Sequence, residues 1–301
     1  MNFKYYILPI ILSFGQSTKA QIEPTLFAEN VISTGAMDFN ASFSEDGQQV
    51  YFSVANISWS TIAICTSNFK DGTWQKPTLL PFSGAYLDAD PFMFNNERLY
   101  FISDRPINGT TPYTKWDYNI WYSEKKEGNW SPPVYLEGPF NKLGPILYPS
   151  LSDNKNLYFT SNNQLYRSTW ENGAYQEPQK LDFVKEDQVY VDSVVSKNED
   201  FIIFSAPKEG SPRDMDIWIS LHKNGIWQEP VNMGKGINSL RNEGQPGLSA
   251  DQKTLFYSYG GAQQQEKLTS YDQLLFKLLG PKNGLLDIYQ VSIPKEFFTE
   301  D

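Results

Sequence analysis

The sequence predicts an all-β chain folded as a five-bladed β-propeller, each blade a four-stranded antiparallel sheet. A short pattern, Gly-x-aromatic-x-x-Pro, recurs as Gly72-x-Trp74-x-x-Pro77, Gly128-x-Trp130-x-x-Pro133, Gly173-x-Tyr175-x-x-Pro178 and Gly225-x-Trp227-x-x-Pro230. Recurrence at this interval marks a repeat architecture. Aromatic and β-branched runs recur with it, and their registered residues Phe52, Phe101, Phe159, Phe204 and Tyr257 lie 49, 58, 45 and 53 positions apart. These are blade lengths plus loop insertions.

The elements follow in a fixed order. A first strand leads into a polar turn such as Ser44-Glu45-Asp46-Gly47 or Ser249-Ala250-Asp251-Gln252, where Asp and Asn bond their own backbone. The second strand is the aromatic run, as in Val50-Tyr51-Phe52-Ser53 and Leu157-Tyr158-Phe159-Thr160-Ser161. After a variable loop comes a third strand, Ile62-Ala63-Ile64-Cys65 in the first copy. The Gly turn and aromatic-x-x-Pro segment then make the fourth. The expected blades are 36–82, 86–138, 145–182, 188–234 and 241–294 within one domain, 21–301.

The last blade ends at Ile293-Pro294 without a fourth strand. Its counterpart stands at the other end of the chain, where Gln21-Ile22-Glu23-Pro24-Thr25-Leu26 matches Gln75-Lys76-Pro77-Thr78-Leu79. Residues 21–33 are therefore expected to complete the last blade, which removes an open sheet edge.

Residues 1–20 read as a secretory signal: Lys4, an apolar stretch from Tyr5 to Phe14, and small residues Thr18 and Ala20 before a cut at Gln21. That implies a periplasmic or secreted protein. It is not expected to be a lipoprotein, since Gln21 stands where the anchoring Cys would be, and no run is long enough to span a bilayer. The formal charge of −10 becomes −12 once Lys4 and Lys19 leave, so nucleic acid is excluded as a partner.

The residues that carry the repeat, notably Asn242-Glu243-x-x-Pro246-x-x-Ser249-x-Asp251 before Leu255-Phe256-Tyr257, and Ser103-Asp104-Arg105-Pro106 before Asn119-Ile120-Trp121, resemble the TolB-type, WD-repeat-like propeller family of bacteria. The resemblance covers nearly all of the chain after residue 20. It implies a periplasmic or envelope-associated module that binds a protein or a glycan, without the peptidase or peptidoglycan-binding domains some members carry.

Several chemistries have no support in the residues. His222 is the single histidine and Cys65 the single cysteine, too few for a zinc site or a nucleophile–His pair. No Gly-rich phosphate loop precedes a helix. Registering the blades on their Asp/Asn turns places Asn40, Asp90, Tyr148, Asp192 and Gln245 in one layer of the first strands, which line the channel of a propeller. Two residues earlier lie Asp38, Asp88, Ile146, Tyr190 and Glu243, and period-two spacing assigns both layers to one face. Five carboxylates, Asp38, Asp88, Asp90, Asp192 and Glu243, are thus expected near one mouth, at the N-terminal ends of those strands.

Three readings compete for them: solvated caps that tie blades together, a Ca²⁺ site, or the acid and base of a glycoside hydrolase. Apart from that Ca²⁺, no cofactor is expected. Ligand contacts are assigned to Asp90, Tyr148, Asp192 and Gln245, joined by Arg105 and Trp116 from the Asp104–Asp117 loop. The insertion between Gly260 and Leu286 reads as a short amphipathic helix with a Ser270 cap and a Gly280-Pro281 stop. Its apolar face is expected to pack on the propeller, with partner docking as the alternative. The residues point to a non-catalytic binding or scaffolding module, with a glycan-active hydrolase as the alternative.

Overall fold

The structure, a computed structural model, describes residues 23–109, 114–208, 210–238, 242–261 and 267–298. The expected signal segment and its cleavage site lie outside the described residues.

Five antiparallel sheets follow one another along the chain. Their inner strands are Met37–Phe43, Asp88–Phe94, Leu147–Leu151, Val191–Val195 and Glu243–Leu248. The aromatic runs form the second strands, and both their faces are covered because each blade is sandwiched between two others. Tyr51 packs with Met93, Leu99 and Phe101 of the second blade, while its neighbours Val50 and Phe52 pack with Phe256 and Ile288 of the last. Ile203 likewise faces Leu255 and Tyr257, and Phe204 faces Tyr158. Alternation thus serves two interfaces, which is why the runs read as nearly continuous apolar sequence. Burial of each such side chain contributes about 1.5–3 kcal/mol.

The repeated pattern makes the blade's outer edge. In the first blade Thr73–Trp74 pairs with Phe69 and Lys70, and Thr78–Leu79 pairs with Cys65 and Thr66. The expected fourth strand is therefore two short pieces, because Pro77 has no N–H to give the ladder. A serine bridges the gap: Ser67 Oγ donates to the Gln75 carbonyl at 2.5 Å, and Ser123 and Ser220 do the same to Ser131 at 2.7 Å and Gln228 at 2.6 Å. The repeat aromatics pack between blades, Trp130 on Tyr51 at 5.9 Å and Trp227 on Tyr158 at 5.9 Å. His222 stacks on Trp227 at 4.6 Å on the rim, as its place in the third strand suggests.

The chain's two ends close the ring. Thr25 and Leu26 pair with Gln290 and Tyr289 on the edge of the last blade. Ser33 Oγ donates to the Ile288 carbonyl at 3.0 Å and accepts from the Ile288 N–H at 3.1 Å. Phe27 meets Phe43, Trp74 and Phe256 at 5.8, 5.4 and 4.9 Å, joining first and last blades. Gly247 completes the seam, since a Cβ there would lie 2.1 Å from the Ala41 carbonyl oxygen.

The insertion in the last blade forms a helix, α1, over Tyr271–Leu279, with the Ser270 side chain accepting from the Gln273 N–H. None of its residues is buried, which differs from the expectation that its apolar face packs on the propeller. Its C-terminal end is pinned: Gly35 sits so close to the Leu279 carbonyl that a Cβ would meet it at 1.8 Å. Asn283 Nδ2 donates to the Gly35 carbonyl at 3.0 Å.

Candidate functional site

Asn40, Asp90, Tyr148, Asp192 and Gln245 occupy equivalent places in the five inner strands, and all five have left-handed backbone, with φ of 57, 54, 53, 54 and 56°. At each the ladder to the second strand slips by a residue. A bulge of this kind aims one side chain away from the sheet. Asn and Asp tolerate the conformation, whereas Tyr and Gln are held in it at a cost. Pro91, Pro149 and Pro246 follow three of the five, where the bulge leaves no ladder partner for an N–H.

The ring is cross-linked between blades. Asn40 Nδ2 donates to Asp90 Oδ1 at 2.5 Å, the Tyr148 N–H donates to Asp90 Oδ2 at 3.1 Å, and the Asp90 N–H donates to Ser53 Oγ at 3.1 Å. Between the fourth and fifth blades the Gln245 N–H donates to Asp192 Oδ2 at 3.2 Å. The Tyr148 hydroxyl sits against both Gln245 and Asp192. Gln245 Oε1 is buried and accepts no hydrogen bond.

Crowding of this polar ring by protein atoms disfavours charge on it. Desolvation raises Asp90 from 3.8 to about 8, with the nearby Asp192 charge adding to the effect. Asp192 rises less, to about 6, because Tyr148 and the Gln245 N–H stabilise its carboxylate. Burial thus disfavours charge on both carboxylates of the ring.

The second layer does not join the first, and the left-handed residue is the reason: it interrupts the period-two step that would have put both on one face. Asp38 turns to Thr34, accepting from its N–H and its hydroxyl, both at 2.7 Å, and burial lifts it to about 7. Asp88 is ion-paired with Arg105 at 2.6 Å. Glu243 is buried, as are Ile146 and Tyr190. Among the described residues no three His, Cys, Asp or Glu side chains gather closely enough to hold a metal ion.

Arg105 and Trp116 lie apart from the ring. Arg105 is held over Phe101 and Trp121 at 5.3 and 5.4 Å while it pairs with Asp88, so its charge is spent within the second blade. Trp116 remains exposed, 5.9 Å from Tyr118.

A channel cavity of about 90 Å³ is lined by Asn40, Asp90 and Tyr148 and runs to the turns carrying Glu45, Asp153 and Lys197. It opens toward the C-terminal ends of the inner strands, opposite to the expected mouth. On the N-terminal side Phe39, Ala89 and Leu147 join an apolar cluster. The cavity has room for a few waters and one slender ligand group. The sequence register located the ring, but nothing in it revealed the left-handed backbone, since Tyr148 and Gln245 carry no signature of that conformation.

No family model matches the sequence, and no curated protein matches it. Similar solved structures share the fold at low identity. A GH62 hydrolase in complex with xylotriose superposes with a TM-score of 0.53 at 14% identity over 89% of this chain and 95% of that one. A TolB candidate from Agrobacterium tumefaciens gives 0.50 at 10% identity over 86% and 91%. TolB from Acinetobacter baumannii gives 0.47 at 13% identity over 85% of this chain, which spans 54% of its length.

Proposed function

We propose that this propeller is a secreted or periplasmic binding module of the TolB type that recognises an envelope protein or glycan without turning it over. The observation that carries the reading is the ring of five left-handed residues, two of them, Tyr148 and Gln245, of types that resist that conformation. Strain kept at Tyr148 and Gln245, beside an unpartnered buried Gln245 Oε1, suits a preorganised recognition site. The ligand would present a hydrogen-bond donor to Gln245 Oε1, entering from the face that carries Glu45, Asp153 and Lys197. Export would follow cleavage after Ala20.

A hydrolase is the second reading. It is favoured by two carboxylates, Asp90 and Asp192, held in one layer of the channel and both raised by burial, since raised carboxylates serve as acid and base in hydrolases. A calorimetric screen of the exported protein against xylotriose, soluble peptidoglycan fragments and calcium, run beside an assay for released sugar, separates the readings. Saturable heat from an oligosaccharide without product supports the binding module. Product that vanishes in Asp90→Asn supports the hydrolase, and heat from calcium alone, lost in that variant, would replace both with a cation site.

A further inference from the structure

The blades are not equivalent at their outer edges. In the first, second and fourth, one continuous third strand pairs with both pieces of the outer strand. In the third blade it ends at Ser168, and Trp170–Glu171 with Ala174–Tyr175 forms a separate two-stranded hairpin. Ser168 Oγ still donates to the Gln176 carbonyl as in the other blades, and between this hairpin and the second blade lies a cleft with a volume of about 820 Å³, within the range of small-ligand sites and far larger than the channel.

The walls are aromatic and cationic. Tyr122, Trp170 and Tyr175 line the cleft together with Arg98 and Lys155. The hairpin is rigidly set: Trp170 and Tyr175 meet edge to face at 4.7 Å, and the Trp170 N–H donates to Asn156 Oδ1 at 2.9 Å. Opposite them the Arg98 guanidinium lies 4.3 Å from the Tyr122 ring and 2.5 Å from Glu124. Four cationic side chains and three carboxylates line the cleft, a local positive excess in a chain of net charge −10. Lys155 is left over from the pairing. Its ammonium lies 6.0 Å from the Trp170 ring and has no carboxylate partner among the described residues.

An aromatic wall beside an unneutralised ammonium is complementary to a ligand with an apolar ring face and a carboxylate. The geometry points to a second binding site in this cleft for an acidic glycan of the uronic-acid class, a pyranose stacked on Trp170 with its carboxylate on Lys155. The site goes beyond the channel reading and does not depend on it.

The test is titration of the full chain, followed by calorimetry, with hexagalacturonate and with neutral cellohexaose as probes. Wild type should bind hexagalacturonate, weakening as salt rises, and should bind cellohexaose at least tenfold more weakly. Lys155→Gln, an exposed position that leaves folding intact, should lose most of that preference. Trp170→Ala should lose both ligands, with its melting temperature recorded to separate unfolding from lost stacking. Tyr148→Phe in the channel should leave the cleft affinity unchanged, so that failure at one site is not mistaken for failure at the other. The proposal is overturned by no binding of hexagalacturonate, by equal binding of the two probes, or by wild-type affinity in Lys155→Gln.

Discussion

Asp90 carries the most consequential titration in the molecule. Its folded value of about 8, and those of Asp38 at about 7 and Asp192 at about 6, stand well above the ~3.9 of an unfolded aspartate. The folded state therefore holds more protons than the unfolded one between roughly pH 4 and 8, and stability must fall as pH rises through that window. Melting curves should show a temperature that drops steadily from pH 5 to pH 8. Asp90→Asn removes one such group while keeping an acceptor for Asn40 Nδ2. Its amide faces the Tyr148 N–H as a second donor, a mismatch of ~1 kcal/mol that the lost buried charge outweighs at the alkaline end. The variant should show a shallower slope and melt at or above wild type at pH 8. A slope unchanged by the substitution would show that Asp90 is not the group responsible.

At the scale of elements, the seam between first and last blades is where single changes do most harm. Gly247→Ala drives a methyl group to 2.1 Å from the Ala41 carbonyl, and since both atoms belong to strands locked in their own sheets, relief requires the blades to part. A loss of ~1–3 kcal/mol is expected, read as a lower denaturant midpoint, whereas Gly47→Ala, where a methyl group meets nothing, should cost only its left-handed strain. Deleting the chain through Ser33 removes the outer strand of the last blade, the paired Ser33–Ile288 hydrogen bonds and Phe27 at once. No cooperative melting transition should remain, and a truncated protein melting within a few degrees of wild type would contradict closure by the N-terminus. This closing strand was legible in the sequence because Pro24-Thr25-Leu26 repeats the Pro77-Thr78-Leu79 pattern. Helix α1 was legible as a helix from its Ser270 cap and Gly280 stop, yet its packing was not: amphipathic spacing says which residues share a face, and nothing in it says whether the propeller lies beneath.

For the whole molecule, five similar sheets arranged in a ring fix one layer of side chains to five-fold register, and the Asp/Asn turns were enough to find that layer. The second layer escaped the same reasoning because a left-handed residue between the two sends Asp38 to Thr34 and Asp88 to Arg105. The cleft escaped it too, since the third blade keeps its Gly173-x-Tyr175-x-x-Pro178 pattern and nothing in that pattern marks the space between its hairpin and the second blade. The proposed export is tested at this scale as well: N-terminal sequencing of protein recovered outside the cytoplasm should read from Gln21. A start beyond about Pro24 would contradict both the cleavage site and the closing strand.

The central claim, a channel ring that binds and does not turn over, is tested most directly through the Tyr148 hydroxyl, which sits against Asp192 and Gln245 in the ring. The measurement is the ligand-induced melting shift of wild type and Tyr148→Phe with whichever of xylotriose or peptidoglycan fragments wild type binds, with released product assayed in the same samples. The expected result is a shift in wild type that rises with ligand concentration, its loss in Tyr148→Phe, whose ligand-free melting temperature falls by no more than the loss of one buried hydrogen bond to Asp192, about 1–3 kcal/mol, implies, and no product in either. An undiminished shift in Tyr148→Phe, or product accumulating with wild type, would contradict it.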